Sequence, residues 1–199
     1  MPLFRYLVFL ILFLPTPLLA QGLLIDSQNS KGAPTVATSV KDPENTIVMD
    51  LDYGSVLIQL HPDLAPKHVA RIKELVRKGF YDGLAFHRVI DGFMAQGGDP
   101  RGDGTGGSGQ NIPAEFNSLK HVRGTASMAR SADPNSADSQ FFICLDTADF
   151  LDGQYTGWGT VISGMEFVDK IKKGVRANNG AVDNPDKIVR MRIAADIKE

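Results

Sequence analysis

One arginine stands among large apolar side chains in the run Phe86-His87-Arg88-Val89-Ile90-Asp91-Gly92-Phe93-Met94-Ala95-Gln96-Gly97-Gly98. The Asp91-Gly92 pair marks a hairpin turn, and the length of the loop decides which residues face each other across it. A two-residue loop sets Arg88 opposite Ala95. A three-residue loop (Asp91, Gly92, Phe93) sets Arg88 opposite Gln96 and Ile90 opposite Met94, and this is the register predicted here. It collects a guanidinium, an amide and a thioether on one strand face, with Phe93 at the corner. Such a face can grip a peptide carbonyl beside an apolar ring. By strand alternation His87 points to the other face, which makes it a structural residue rather than a general base.

Other residue types that could do chemistry are less well placed. Gly102-Asp103-Gly104-Thr105-Gly106-Gly107 fits the dinucleotide pattern G-x-G-x-x-G, but no strand-helix-strand unit surrounds it, so a glycine-rich surface loop is the reading. Without Cβ atoms its backbone can approach an extended peptide closely. Asp133-Pro134-Asn135-Ser136-Ala137-Asp138 has calcium-loop composition but lacks the glycine and closing glutamate of such a loop, and reads as a turn held by local side-chain hydrogen bonds. Ser127, Ser131 and Ser136 lie in strand or turn contexts with neither a G-x-S-x-G elbow nor a legible His-Asp partner, which excludes a serine hydrolase. No metal or cofactor is implied.

The chain that must position these groups has 199 residues, 43% of them hydrophobic and 22% charged, which suits one domain with one sizeable core. Its net charge of −2, with no basic stripe, gives nothing that would attract nucleic acid. The one cysteine, Cys144, precludes an internal disulfide, and its neighbours Phe142, Ile143 and Leu145 make it a buried, inert thiol.

Met1 to Ala20 has Arg5, an apolar run Tyr6 to Leu14, and then Pro15-Thr16-Pro17-Leu18-Leu19-Ala20, the layout of a secretory signal peptide cleaved after Ala20. The apolar run is short for a membrane span, so no stable membrane insertion is expected after cleavage and the mature protein is expected to be periplasmic or secreted. Residues 21–44 read as a flexible tether and residues 45–199 as the folded domain. Thr46–Leu51 and Ser55–Leu60 form a first hairpin. A helix follows from Pro66 to Gly79, burying Val69, Ile72 and Val76 and leaving Lys67, Arg71 and Lys73 in water. Further strands are predicted at 124–129, 140–145, 156–162 and 188–193, with a second helix over 166–172. Many short strands with two helices suggest an α+β or closed β architecture and do not suggest a parallel sheet.

From residue 45 to the C-terminus the chain resembles the cyclophilin family of peptidyl-prolyl isomerases, in its compact bacterial, exported form. The matching motifs are Phe86-His87-Arg88, Gly92-Phe93-Met94, Gln96-Gly97-Gly98, Gly104-Thr105-Gly106-Gly107, Ser127-Met128-Ala129, Ser139-Gln140-Phe141-Phe142-Ile143 and Leu151-Asp152-Gly153. The resemblance implies a mainly β fold, a closed eight-stranded antiparallel β-barrel capped by two α-helices. It also implies proline-containing polypeptides as substrates. Arg88 falls on the family's catalytic arginine. Phe93, Met94, Phe142 and Leu151 fall on its proline pocket, and Gln96, Ala129 and Gln140 on positions that hold the substrate backbone. Arg130 and Tyr155 fall on substrate-contacting positions where the eukaryotic pattern has asparagine and histidine. Phe150 replaces that pattern's tryptophan, so cyclosporin binding is expected to be weak. A monomer is expected. A proline-peptide-binding chaperone without turnover is the alternative on the same fold, and the retained arginine favours turnover.

The implied chemistry needs few groups. Resonance gives the peptide C–N bond a rotation barrier of roughly 18–20 kcal/mol, and the twisted state has a pyramidal proline nitrogen carrying a lone pair. A fixed donor near that nitrogen and a dry pocket for the ring lower the barrier without a nucleophile. A guanidinium suits the donor role because it is always charged and its fork of N–H groups is rigid.

Overall fold

The computed structural model describes residues 40–198. The predicted signal peptide and residues 21–39 of the tether lie outside the described residues. The tether's last part enters the fold: Pro43–Asn45 forms a 3-10 turn in which the Asp42 carboxylate accepts from the Asn45 N–H, and Lys73 and Arg77 of the first helix reach back to Glu44.

Alternating β-branched residues make the first hairpin, β1 (Thr46–Leu51) and β2 (Gly54–Leu60), which is joined at Leu51 and Gly54. Helix α1 (Pro66–Arg77) begins with a proline at its first turn, where a missing N–H costs nothing. The residue before it, Ala65, supplies no side-chain cap. Glu115 does so from a distant loop, its carboxylate accepting from the Lys67 and His68 backbone N–H groups at 3.1 and 3.0 Å and lying 2.7 Å from His68 Nδ1. Gly79, at φ +65°, ends the helix in the left-handed conformation. The buried face is His68, Val69, Ile72, Leu75 and Val76. Only Lys67 of the three basic residues expected in water is exposed. Arg71 bonds Ser108 and Glu74, and Lys73 bonds Glu44 and Asn45, because long side chains lay their stems along apolar surface while their heads find acceptors.

The remaining strands are β3 (Arg88–Ile90), β4 (Met94–Gly97), β5 (Thr125–Met128), β6 (Phe141–Cys144), β7 (Gly157–Ser163) and β8 (Arg190–Ile193), all antiparallel in the order β3-β4-β6-β5-β7-β2-β1-β8. The fold is mainly β with two helices, as expected, but the closed barrel is corrected to an open half-barrel. The edge strands β3 and β8 do not pair. Irregular segments next to them do, through Gly83 N–H to Ile188 O, Phe86 N–H to Asp186 O and Ile188 N–H to Leu84 O, together with isolated bridges such as Ala85 with Lys187. The second helix is also shorter than predicted. Helix α2 (Met165–Val168) is one turn, after which Lys170 and Ile171 donate to residues three earlier and the Lys172 N–H turns to the Asp186 carboxylate.

Strand alternation splits the apolar side chains into two groups. Phe141 and Ile143 of β6, with Ala95 of β4, point into the main core beside Trp158, Tyr81 and Phe86. There Phe141 meets Tyr81, Phe86 and Trp158 edge-on at 5.6, 6.4 and 5.8 Å between ring centres, so truncating it to alanine would cost about 3–5 kcal/mol. The intervening residues Phe142 and Cys144, with Met94, point to the opposite face and build a smaller cluster with Ala148 and Leu151. Strand β6 is thus buried on both sides. Cys144 is fully buried, and burial pushes its thiol up to about 12, so it is inert.

Candidate active site

The β3–β4 hairpin has the predicted register, Arg88 opposite Gln96, Val89 opposite Ala95 and Ile90 opposite Met94. Gly92, at φ +66°, supplies the left-handed corner, and Phe93 bonds back to Ile90 O through its N–H. The guanidinium of Arg88 is held at three of its nitrogens. Nη1 donates to Gln96 Oε1 at 3.1 Å and lies 3.8 Å from Met94 Sδ, while Nε donates to Asn179 O at 3.0 Å and Nη2 to Asn179 Oδ1 at 3.1 Å. Gln96 Nε2 in turn donates to Gln140 Oε1 at 2.9 Å, and Gln140 Nε2 donates to the carbonyls of Gly104 and Gly106 at 3.0 and 2.8 Å. A directed chain of hydrogen bonds therefore runs from Arg88 to the glycine-rich loop. Half-burial of Arg88 lowers its pKa, but a guanidinium stays charged in protein surroundings.

Beside this cation lies a cavity of about 230 Å³. Met94, Phe142 and Leu151 line its apolar floor, all of them buried members of the second cluster. Phe93 and Phe150 stand at its mouth with ring centres 5.5 Å apart. Tyr155 meets Phe142 edge-on at 5.9 Å, and Arg130 lies 4.5 Å over the Tyr155 ring. Ala129 and Gln96 line both this cavity and a neighbouring one of about 240 Å³ that also holds Gln140. Nine of the ten residues singled out in the sequence line the first cavity, and the tenth, Gln140, is hydrogen-bonded to one of them. The floor is apolar and the Arg88 fork beside it is fixed, which suits immobilising a small apolar ring while offering N–H groups at its edge.

His87 is buried on the opposite strand face, as alternation required, and neither ring nitrogen has a protein hydrogen-bond partner among the described residues. Burial lowers its pKa, so it is neutral at pH 7. It takes no part in the cavity.

Two features of the site were not legible in sequence. Asn179 holds Arg88 from 91 residues away, and its local signal, Asn178-Asn179-Gly180, indicates only a turn. The second is the partner that Ser127 lacked on paper. His121 Nε2 lies 2.9 Å from Ser127 Oγ, and its Nδ1 lies 3.1 Å from Asp152 Oδ1. This resembles a hydrolase triad in order but not in access. Ser127 is fully buried beneath Phe142, its partner across the β5–β6 ladder, and His121 stacks on the Phe142 ring at 6.1 Å. The three residues support the floor of the cavity. The 133–138 segment is a turn closed by Ser131, Asp133 and Ser136 hydrogen bonds.

A family model described as cyclophilin type peptidyl-prolyl cis-trans isomerase/CLD matches residues 46–193. A Brucella suis protein named "Probable peptidyl-prolyl cis-trans isomerase" is 58% identical over 172 residues, covering 80% of this chain and 88% of the relative. A Synechococcus elongatus peptidyl-prolyl cis-trans isomerase is 42% identical over 149 residues, covering 75% of this chain and 96% of the relative. Among solved structures, a Cryptosporidium parvum cyclophilin type peptidyl-prolyl cis-trans isomerase crystallised in the presence of the dipeptide Ala-Pro superposes with a TM-score of 0.68 at 30% identity, covering 74% of this chain and 98% of that one.

Proposed function

This chain belongs to the cyclophilin-type peptidyl-prolyl cis-trans isomerases, and from that premise we propose that Arg88 is its catalytic donor and that its clients are exported proteins. The activity itself is peptidyl-prolyl isomerisation. The observation that carries the assignment of the donor is the position of Arg88, fixed by Gln96 and Asn179 at the edge of a cavity with an apolar floor and room for a proline ring.

The proline ring of a substrate enters between Phe93, Met94, Phe142 and Leu151, while Gln96, Ala129 and Gln140 hold the adjoining backbone. As the X-Pro bond twists, its nitrogen loses resonance and gains a lone pair, and the Arg88 N–H groups donate to it. A charged hydrogen bond that strengthens only in the twisted state contributes about 1.5–3 kcal/mol, or roughly ten- to hundredfold in rate. Holding the ring away from water supplies the rest. No proton is transferred and no bond is broken.

The leader-like segment Met1 to Ala20 supports the exported assignment: cleavage after Ala20 would release a soluble, monomeric enzyme into the periplasm or medium, with residues 21–44 preceding its folded domain. Proline-containing segments of secreted or envelope proteins would then be its substrates. Phe150 at the mouth in place of a tryptophan supports weak cyclosporin binding.

The deciding experiment is NMR exchange spectroscopy of an X-Pro peptide with the mature protein and with Arg88→Ala. The expected result is acceleration by the wild type and a loss of at least about tenfold in the variant. Equal acceleration by both proteins would remove Arg88 from the chemistry, and peptide binding without acceleration by either would make the protein a proline-binding module. The exported assignment is checked by N-terminal sequencing of the natural product, which should begin at Gln21.

A further inference from the structure

Five arginines of the described chain, Arg71, Arg77, Arg123, Arg190 and Arg192, each have a carboxylate partner within ion-pair distance. Among the described residues four arginines, Arg88, Arg101, Arg130 and Arg176, have none, and of these Arg88 and Arg130 line the proline cavity. Both are nonetheless fixed. Arg88 is held by amide groups, as described. Arg130 donates from Nε and Nη2 to Gln154 O at 3.3 and 2.9 Å and from Nη1 to the carbonyls of Ser131 and Ala132 at 2.9 and 3.3 Å, with its guanidinium over the Tyr155 ring.

Carbonyl oxygens and a ring face satisfy donors without cancelling charge. The cavity therefore has two oriented positive charges in its wall and no carboxylate among its lining residues. Four of the five N–H groups of Arg130 are engaged, which leaves one on Nη2 and the whole charge to act on whatever lies at the mouth. Arg130 also lines the neighbouring cavity, where the one lining carboxylate, Asp138, accepts from Ser108 Oγ and the Gly109 N–H and not from Arg130.

We propose that Arg130 is a specificity-determining residue, and that the preferred substrates carry a carboxylate side chain, aspartate or glutamate, directly next to the proline, with lysine and arginine disfavoured there. This rests on the proline ring occupying the cavity beside Arg88. The physical cause is a fixed charge without an ion-pair partner: its orientation is set before substrate arrives, so the substrate pays little ordering entropy to use it. The mouth is open to water, which keeps the effect modest. An exposed ion pair changes an equilibrium by roughly up to fivefold, and attraction of glutamate combined with repulsion of lysine gives a ratio of that order.

The test is a panel of short X-Pro peptides with glutamate, glutamine or lysine placed immediately before or immediately after the proline, read by NMR exchange as kcat/KM at low salt and at about 1 M salt, where the Debye length falls to about 3 Å. Wild-type protein should favour glutamate over lysine about fivefold on at least one side at low salt, with the ratio falling toward one at high salt. Arg130→Gln should reduce the low-salt ratio to about two or less, and Arg130→Lys should keep most of it. The ratio is the readout, so any general loss of activity in the variants cancels. A wild-type ratio near one on both sides, or a ratio that Arg130→Gln leaves unchanged, overturns the proposal. If the wild-type protein accelerates none of the peptides, the isomerase reading is what has failed, and the same glutamate-to-lysine ratio is then taken from Kd values in an NMR titration, with the same two outcomes deciding it.

Discussion

Asn179 grips Arg88 with both its backbone and its side chain: its carbonyl accepts from Nε at 3.0 Å and its Oδ1 from Nη2 at 3.1 Å. A single residue can do this because its backbone takes the left-handed conformation, φ +50°, which turns the carbonyl and side chain toward the same guanidinium. Asparagine tolerates that conformation better than most side chains do.

Two substitutions separate these roles. Asn179→Gly keeps the backbone conformation and the carbonyl bond but removes the Oδ1 bond, so kcat/KM should fall about three- to tenfold while thermal stability changes little. Asn179→Ala loses the same bond and also pays for a left-handed alanine, about 1 kcal/mol of stability. Exchange kinetics and chemical denaturation of the two variants check this. Equal stabilities for the two variants would show that backbone conformation at 179 matters less than argued.

The chain Arg88–Gln96–Gln140 should behave as a unit. Removing either amide leaves the other without its partner, so Gln96→Ala and Gln140→Ala should be non-additive in kcat/KM, with a coupling of about 0.5–1.5 kcal/mol in a double-mutant cycle. Additive losses would mean that Gln140 acts on the substrate or on the glycine-rich loop independently of Arg88.

Catalysis should be flat from about pH 6.5 to 8.5. Arg88 stays charged across that range, and His87, its chain neighbour, is already neutral because burial lowers its pKa. The same burial predicts the sign for stability. A histidine whose folded pKa lies below its unfolded value contributes stability that is present above the unfolded value and is lost as pH falls, since the unfolded chain then binds the extra proton. A pH profile of kcat/KM with a midpoint near 6.5 would contradict this assignment and return His87 to the chemistry.

Asp152 ties the loop after Leu151 to His121 and Lys120, and the backbone N–H and ring of His121 with the Lys120 ammonium hold its pKa down to about 2 from an ordinary 3.8. A depressed carboxylate stabilises the fold above its unfolded pKa and loses that contribution as pH falls toward the folded value. The difference in Tm between wild type and Asp152→Asn should therefore be constant from pH 7 to about 5 and should shrink as pH falls from about 4 toward 2. A difference that persists at low pH would show that the asparagine fails for reasons of shape rather than charge.

How much of this was legible in the sequence follows from the range over which each feature is determined. The Arg88–Gln96 register comes from three loop residues and the period of a strand, so it could be read locally. The α1 face and its glycine stop were equally local. The separation of Phe141 from Phe142 follows from the same strand alternation, which sends neighbours to opposite faces, although in the sequence Phe142 was singled out only by the family resemblance. The ten site residues were grouped through the resemblance of their motifs to the cyclophilin family, before any of them was placed.

Tertiary structure alone decided the rest, in each case because the partners are far apart in sequence and the signal at either end is ordinary. Arg71 and Lys73 have surface spacing on their helix, and only the approach of Ser108, Glu44 and Asn45 draws them in. Ser127 finds His121 and Asp152 only when three segments meet beneath Phe142. Whether eight strands close into a barrel depends on whether the two edge strands reach each other, and here irregular segments beside them make that link instead. An arginine's partner is likewise invisible in its own neighbourhood: the sequence determined that Arg88 would stand beside an amide on an apolar hairpin, while the fold decided that Asn179 would hold it and that neither it nor Arg130 would meet a carboxylate.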